Sequence, residues 1–530
     1  MNAKALYNSL ESDRHTFLER ARDCSKLTIP TLVPPQGHSS ATIYPTPFQG
    51  LGARGVNHLA ASLLLSMLPP NQPFFRLALD EEAVRSLGAG PGVKAEIDQT
   101  LSSMERSVMQ EIETMAVRSS VFEAVKHLIV SGNVLLHMDR GRLKVFHLDQ
   151  YVIQRDSSGD IQHIVVKETI ARNSLERSIL DQIDGEEGGP YKSAKEDEVD
   201  LYTCVHRTGE SSWEVYQEIE NHRIESTAGT YKNDNFPWFA LRMNRVEGES
   251  YGRGYVEEYL GDLKSLEALT QAIVEGSAAA AKVLFLVNPN GFTNAETLAR
   301  SPNGAIREGL ATDVTVLQVQ KQNDFSVALQ TIAQIRERLS YAFLLAESTI
   351  RNAERVTAEE VRLTTAAVER QLGGVYSILS QEFQLPFVRY LLQYMAKSKR
   401  LPKVPDQYVK PMIVTGIDAL GRGNDLTKLD TFLIGLQQVI GPEALAQFVN
   451  IEEYLARRAA ALGIDTDGLI KSQEERQAEM QQAALAQAGQ QAAGPVAGKL
   501  AQAVAEGTIP QEALTQGAQA VSQQMQGSSQ

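Results

Sequence analysis

The chain has 530 residues, 43% hydrophobic and 22% charged, enough for about three or four domains of a soluble protein. Its formal net charge of -14 excludes a conventional DNA-gripping protein, which neutralises phosphates with a basic surface; any contact with nucleic acid would be weak, local or slippery. Cys24 and Cys204 are the two cysteines, too few for a disulfide framework or a cysteine metal site, and they read as buried free thiols.

The N-terminus enters a polar helical segment with no apolar leader core. The longest apolar run, Leu59 to Leu68, stops at Pro69-Pro70 and is about half of what a membrane-spanning helix needs. The first 30 residues read as a charged helix, followed by a Pro-rich loop from Pro30 to Pro47 and a helix over Leu51 to Leu68. Leu101, Met104, Val108, Ile112 and Met115 recur at helical spacing, and a further helix is expected from Val121 to Ser131. At Gly132-Asn133 the period changes. Val134 to Met138 and Leu143 to Leu148 flank Asp139-Arg140-Gly141-Arg142 as a β-hairpin, and Ile161 to Lys167 follows as a strand. The acidic stretch Asp184 to Glu198 reads as a surface loop, and Leu201 to Arg207 with Trp213 to Ile219 as a second hairpin.

The second half is helical with one interruption. Asp262 to Lys282 carries Leu263, Leu266, Leu269 and Ile273 as one stripe and would span about 30 Å. It runs into the strand Val283 to Val287, the turn Asn288-Pro289-Asn290-Gly291, a strand over Val314 to Val319 and a helix from Asp324 to Leu345. Thr357 and Glu360 form a capping box for a helix reaching Lys397, with Gly373-Gly374 as its weak point and a kink at Pro386. Helices over Leu426 to Val439 and Pro442 to Leu462 follow Gly421-Arg422-Gly423. From Arg476 the composition turns to Gln and Ala, which cannot bury a large core. The fold class is therefore α+β, mainly helical.

Little of this carries chemistry. Gly498-Lys499-Leu500 and Gly52-Ala53-Arg54-Gly55 each lack parts of a phosphate-cradling loop, and Gly252-Arg253-Gly254 reads as a turn or helix start. His127, His137, His147 and His163 lack zinc-site spacing and read as a ladder of partly buried sheet histidines. Glu257-Glu258 and Glu359-Glu360 are adjacent on helices and cannot converge on one substrate atom. No cofactor is implied and no enzyme is expected. Arg351, Glu354 and Arg355 concentrate charge in the loop joining two long helices; one subunit alone reads as an exposed loop, but a ring would turn it into a collar of guanidinium groups.

Several segments, in order from about residue 5 to residue 470, resemble the portal, or head-to-tail connector, proteins of T7-like short-tailed bacteriophages. Among them are YPTPFQGLGARGVNHLAASLLLSMLPP at 44–70, FEAVKHLIVSGNVLL at 122–136, GESYGRGYVEEYLGDLKSLEAL at 248–269, ERVTAEEVR at 354–362 and LGGVYSILSQEFQLPFVR at 372–389. The resemblance implies a ring of twelve subunits around an axial channel at one capsid vertex of the virion, assembled in the host cytoplasm and involving no membrane. It divides the chain into a wing at 1–260, stem helices at 261–282 and 323–345 around a clip at 283–322, and a tunnel loop at 346–356. A wing helix and return at 357–415, crown helices at 416–475 and a tail at 476–530 follow. Its implied partners are further copies of the chain, non-specifically passing genomic double-stranded DNA, the terminase motor, scaffolding and major capsid proteins, and the tail adaptor and internal core proteins. Arg351, Glu354 and Arg355 become candidates for DNA contact. Asn288, Pro289, Asn290, Gly291 and Lys321 become candidates for motor and tail docking on the clip. Negative channel walls would repel phosphates and keep the duplex centred. A different oligomeric virion component, such as a tail adaptor or internal core protein, is the alternative. An enzyme with its active site assembled across subunits would need a carboxylate–metal cluster that is not evident in the sequence.

Overall fold

A computed structural model of the chain describes residues 2–39, 41–70, 73–79, 91–175, 179, 198–280, 284–317, 322–345, 358–402, 409–413, 421–441, 449, 454–455 and 458. The fold divides into one unit up to Gly421 and a second from Arg422 onward. The expected tunnel loop, the capping box at Thr357 and the Gln/Ala tail lie outside the described residues, as do Lys321 and nearly all of the acidic stretch.

Helix α1 (Ala3–Leu27) starts where the Asn2 side chain accepts a bond from the Ala5 N–H, and it ends before Pro30. Helices α2 (Leu51–Met67), α3 (Pro91–Thr114) and α4 (Val117–Ser131) follow the apolar spacing. Between α2 and α3 lies a strand the periodicity does not announce, β1 (Phe75–Leu79). Gly132 ends α4 at φ 77°, in the left-handed region, where a Cβ would strike the backbone of Arg253. The hairpin β2 (Asn133–Asp139) and β3 (Arg142–Phe146) turns through Arg140 at φ 45° and Gly141 at φ 81°, a turn whose twist suits paired strands.

Five strands then form an antiparallel meander in chain order: β4 (Tyr151–Arg155), β5 (Ile161–Ala171), β6 (Glu198–Arg207), β7 (Ser212–Ile219) and β8 (His222–Lys232). Glu198, expected to close a loop, opens β6 instead, because it pairs with Ala171 of β5. Alternation sends Tyr151, Ile153, Ile164 and Val166 to one face, packed on Leu135, Phe146 and Trp238. Val152, Val165, Tyr202 and Cys204 point to the other, where Leu6, Tyr7 and Leu10 of α1 cover them. Strand β9 (Trp238–Arg242) completes the order β3-β2-β9, and Gly254 opens the short helix α5 (Tyr255–Glu258), so Gly252-Arg253-Gly254 is indeed a turn and helix start.

Helix α6 (Leu260–Ala280), strand β10 (Leu284–Val287), the short helix α7 (Ala295–Ala299), strand β11 (Val314–Leu317) and helix α8 (Gln322–Ala342) form the expected excursion. The chain then returns through α9 (Ala358–Leu379), a π-turn at Ser380–Gln384 and α10 (Leu385–Lys397). Leu372, beside Gly373-Gly374, has non-helical φ -122° and ψ 17°, and the π-turn carries the helix past Pro386, which has no N–H to donate. Strand β12 (Val409–Ile413) pairs with β1, its Pro411 opposite Leu77 in a sheet of two strands among the described residues.

The second unit holds α11 (Gly421–Ile440) from its second residue onward, and the helix starts at Gly421 itself and not after Gly423 as expected. In it the Tyr454 hydroxyl donates to Asp430 at 2.6 Å, and Arg458 pairs with the same carboxylate at 3.3 Å. Most of the expected helix at 442–462 lies outside the described residues. Cys24 and Cys204 are both free and buried, and burial pushes the Cys24 thiol up to about 12. No helix among the described residues is long and apolar enough to cross a membrane.

Candidate docking and channel elements

The excursion is anchored at one end only. Leu263 and Leu266 of α6 and Ile335 and Leu339 of α8 are buried in the main core, next to Phe343. The Tyr255 hydroxyl donates to the Ala342 carbonyl at 2.8 Å, and the Arg338 guanidinium meets Asp262 at 2.7 Å, so the chain leaves and re-enters the body at one place. Glu267 accepts from the backbone N–H groups of Phe48 and Gln49, at 2.9 Å and 3.1 Å. A Cβ on Gly55 would lie 2.5 Å from the Phe343 ring; α2 reaches the base of α8 only because it has none there.

Beyond that base the pair is bare. No described residue of α6 past Leu266, nor of α8 before Ile335, is buried; Val274, Val327 and Leu329 are 49%, 66% and 54% exposed. The two helices still approach closely at Gly276, where a Cβ would lie 2.8 Å from Phe325.

At the far end, β10 and β11 pair antiparallel from Leu284↔Leu317 to Val287↔Val314, and among the described residues neither has a second strand partner. Four of the five candidate docking residues, Asn288 to Gly291, sit in a built turn: the Gly291 N–H donates to the Asn288 carbonyl at 3.0 Å and the Asn290 N–H to the Asn288 side chain at 3.0 Å. Asn288, Pro289 and Asn290 are exposed. Asp313, which the sequence did not single out, holds this turn from beneath. Its carboxylate accepts from the Phe292 N–H at 2.8 Å, the Thr293 N–H at 3.1 Å and the Thr293 hydroxyl at 3.1 Å. Phe285, Leu286, Phe292, Ile306 and Leu310 are all largely exposed on the same segment.

The body that carries the excursion is pinned by one carboxylate. Glu382, in the π-turn, accepts from the Arg242 backbone N–H at 2.9 Å and from its guanidinium at 2.9 Å and 2.6 Å, while Arg155 lies 4.0 Å away. Burial lowers Arg155 to about 10, against the pull of Glu382, so it stays charged near neutrality. Nothing in the sequence near Glu382 announces this role; the signal is purely tertiary.

The histidines do not form one ladder. His137 stacks on Trp238 with centroids 3.8 Å apart, His127 lies against His147 at 6.1 Å, and His163 against His206 at 6.4 Å. His127 is on α4, because the apolar spacing of 117–131 is helical, and not on a strand. Burial lowers it to about 3 and His137 to about 4, leaving both neutral. Among the described residues no three His, Cys, Asp or Glu side chains are grouped to hold a metal ion. Arg351, Glu354 and Arg355 lie outside the described residues.

Residues 1–470 match the family model described as bacteriophage head to tail connecting protein. The chain is 41% identical over 502 residues to the portal protein of Enterobacteria phage T3, covering 94% of this chain and 93% of that one. It is 38% identical over 526 residues to the portal protein of Escherichia phage T7, covering 98% and 97%, and 30% identical over 486 residues to that of Enterobacteria phage SP6, covering 91% and 92%. A match spanning nearly the whole of both chains, over a body, a paired-helix excursion and a small β tip of the expected kind, leaves one conclusion: this chain belongs to the bacteriophage head to tail connecting protein family.

Proposed function

We propose that the chain is a structural portal subunit that forms a ring at one capsid vertex, conducts DNA during packaging and ejection, and docks first the terminase motor and then the tail. The observation that carries this is the alignment with the T3 and T7 portal proteins over nearly full length. Two physical features support it. The outer halves of α6 and α8 expose apolar side chains that an isolated two-helix arm could not keep in water, and the two-stranded tip has free edges among the described residues. The residue divisions into wing, stem, clip, tunnel loop and crown are part of this reading, as are twelve subunits, assembly in the host cytoplasm and the capsid, core and adaptor partners. The protein is not an enzyme in this reading; the packaging ATPase is a separate chain.

Arg351 and Arg355 would line the channel beside Glu354, as exposed, salt-screened contacts that slow backward slippage of DNA and bind little on their own. The first experiment is electron microscopy of the purified protein, which should show large symmetric rings; a stable monomer at micromolar concentration overturns the reading. Replacing Arg351 and Arg355 together by alanine should leave rings and proheads intact while lowering the ratio of full to empty particles. Equal filling would remove the two arginines from the mechanism. Deleting 288–312 should leave the body folded and abolish docking, and normal packaging by that deletion would take the clip assignment with it.

A further inference from the structure

Asp313 is an anomaly in the excursion: 8% exposed, in a segment where almost every neighbour faces solvent. One oxygen of its carboxylate accepts all three bonds from Phe292 and Thr293, and its carbonyl accepts the Asn288 N–H at 2.8 Å. Gly291 has no Cβ to spare, because one would strike that carboxylate. The turn is therefore closed around Asp313 from both ends, by three backbone donors, Asn288, Phe292 and Thr293, that a change of side chain would not remove, and by the Thr293 hydroxyl. What the closed turn presents is Phe292, 89% exposed. A rigid turn that holds a phenylalanine out in water gains nothing for the isolated subunit.

We infer that Asp313 is the positioning residue of the tip: it locks the 288–293 turn so that Phe292 stands out as the knob covered by the next copy of this chain. The inference rests on the ring reading above and names a contact that reading leaves open. The occupant is a second copy for two reasons. Among the described residues, strands β10 and β11 each have one free edge, so one neighbour meets β10 and another meets β11, the head-to-tail arrangement that closes into a ring. Exposed apolar residues also occur away from the turn, Phe285 on β10, Val274 on α6, and Val327 and Leu329 on α8. A partner docked at the tip alone would leave those uncovered.

The test uses the full-length protein as parent, Asp313→Ala, Asp313→Asn and Phe292→Ala. Amide hydrogen exchange over 288–293 reads the turn, and native mass across a dilution series reads the subunit concentration at which assemblies come apart. Asp313→Ala should speed exchange at Phe292 and Thr293 and raise the dissociation concentration, each about tenfold. Phe292→Ala should raise the dissociation concentration similarly while Thr293 stays as protected as in the parent, which a merely structural loss would not do. Asp313→Asn keeps one acceptor oxygen and should fall between on both readouts. The inference is overturned if Phe292→Ala assembles as tightly as the parent. It is equally overturned if Asp313→Ala opens the turn without loosening the assembly, or loosens the assembly with the turn still protected. A parent that stays monomeric throughout would sink the ring reading itself, and this inference with it, and is told apart because no variant then has an assembly to shift.

Discussion

Leu59, Leu63, Val134 and Phe387 of the body are fully buried, whereas Phe285, Val274, Val327 and Leu329 of the excursion stand 49–66% exposed. Both regions use similar apolar residues at regular spacing, yet only the body brings several elements onto each of them. Helices α2, α4, α9 and α10 contribute to the main core, while among the described residues α6 past Leu269 and α8 before Ile332 contribute nothing to it. Burial of a side chain such as Leu59 contributes about 1.5–3 kcal/mol, and the outer excursion forgoes most of that within one chain. The body is thus self-sufficient, and the excursion depends on surroundings that a single subunit does not supply.

The body's self-sufficiency is most easily broken at Glu382. Glu382→Ala would leave two guanidinium groups, 4% and 5% exposed, without their carboxylate, at about 3–5 kcal/mol, read as a lower denaturation midpoint. A midpoint within error of the parent would show that the π-turn does not pin β9.

Acid should weaken the body next. His127 and His137 are held neutral by burial, and neighbouring charges do not offset it: His147 and Lys126 oppose protonation of His127, Lys144 opposes that of His137, and only Asp139 favours it. Once unfolded, each takes up a proton near pH 6.5. Their stability is therefore complete above that value and is lost as pH falls toward 4, by about 2 kcal/mol for each histidine between pH 7 and pH 5. Unfolding followed at the two pH values checks this; a flat profile would mean that the rings reach water.

The joint between the regions is Gly55. Gly55→Ala forces a methyl against the Phe343 ring, at about 1–3 kcal/mol, and should loosen the base of α8 before the rest of the body, visible as faster exchange in 335–343. The smallest effect separates the regions best. Leu329→Ala in the dissociated subunit should fall within about 0.5 kcal/mol of the parent, where Leu339→Ala costs about 2–5 kcal/mol. In the assembly the Leu329 substitution should become costly; equal values in both states would mean that nothing covers the outer helices.

The long helices and the two hairpins were legible because each keeps one period over many residues. Five strands were not. The five residues of β9 are all buried, which erases the alternation that marks a strand. Pro411 disguises β12, which pairs only with β1, far away in sequence. Strand β8 is mostly polar and contains Gly229, and β4 is short. Of the candidate residues, Asn288 to Gly291 read correctly as a turn because Pro and Gly write turns locally. Asp313 could not be seen to hold that turn: its partners lie about twenty residues earlier, and only folding brings them together. Glu382 was hidden for the same reason at longer range, with Arg242 on a strand and Arg155 on another sheet.

Strands β1 and β12 also set an order of events for the chain as it is made. The meander from β4 to β8 pairs each strand with the next and can form as soon as its own residues emerge. Phe75 must wait for Ile413, so the body cannot close until the whole excursion has been synthesised and has returned to Ala342 beside Tyr255. Because the excursion leaves and rejoins at one point, its length adds only slowly to the entropy of that closure, roughly 0.6 kcal/mol for each doubling. A newborn chain can seat β1 on α3 early, through the bond from the Leu77 N–H to Glu105, but the edge of β1 that β12 will cover stays unpaired for most of its synthesis, and an unpaired strand edge is an aggregation hazard.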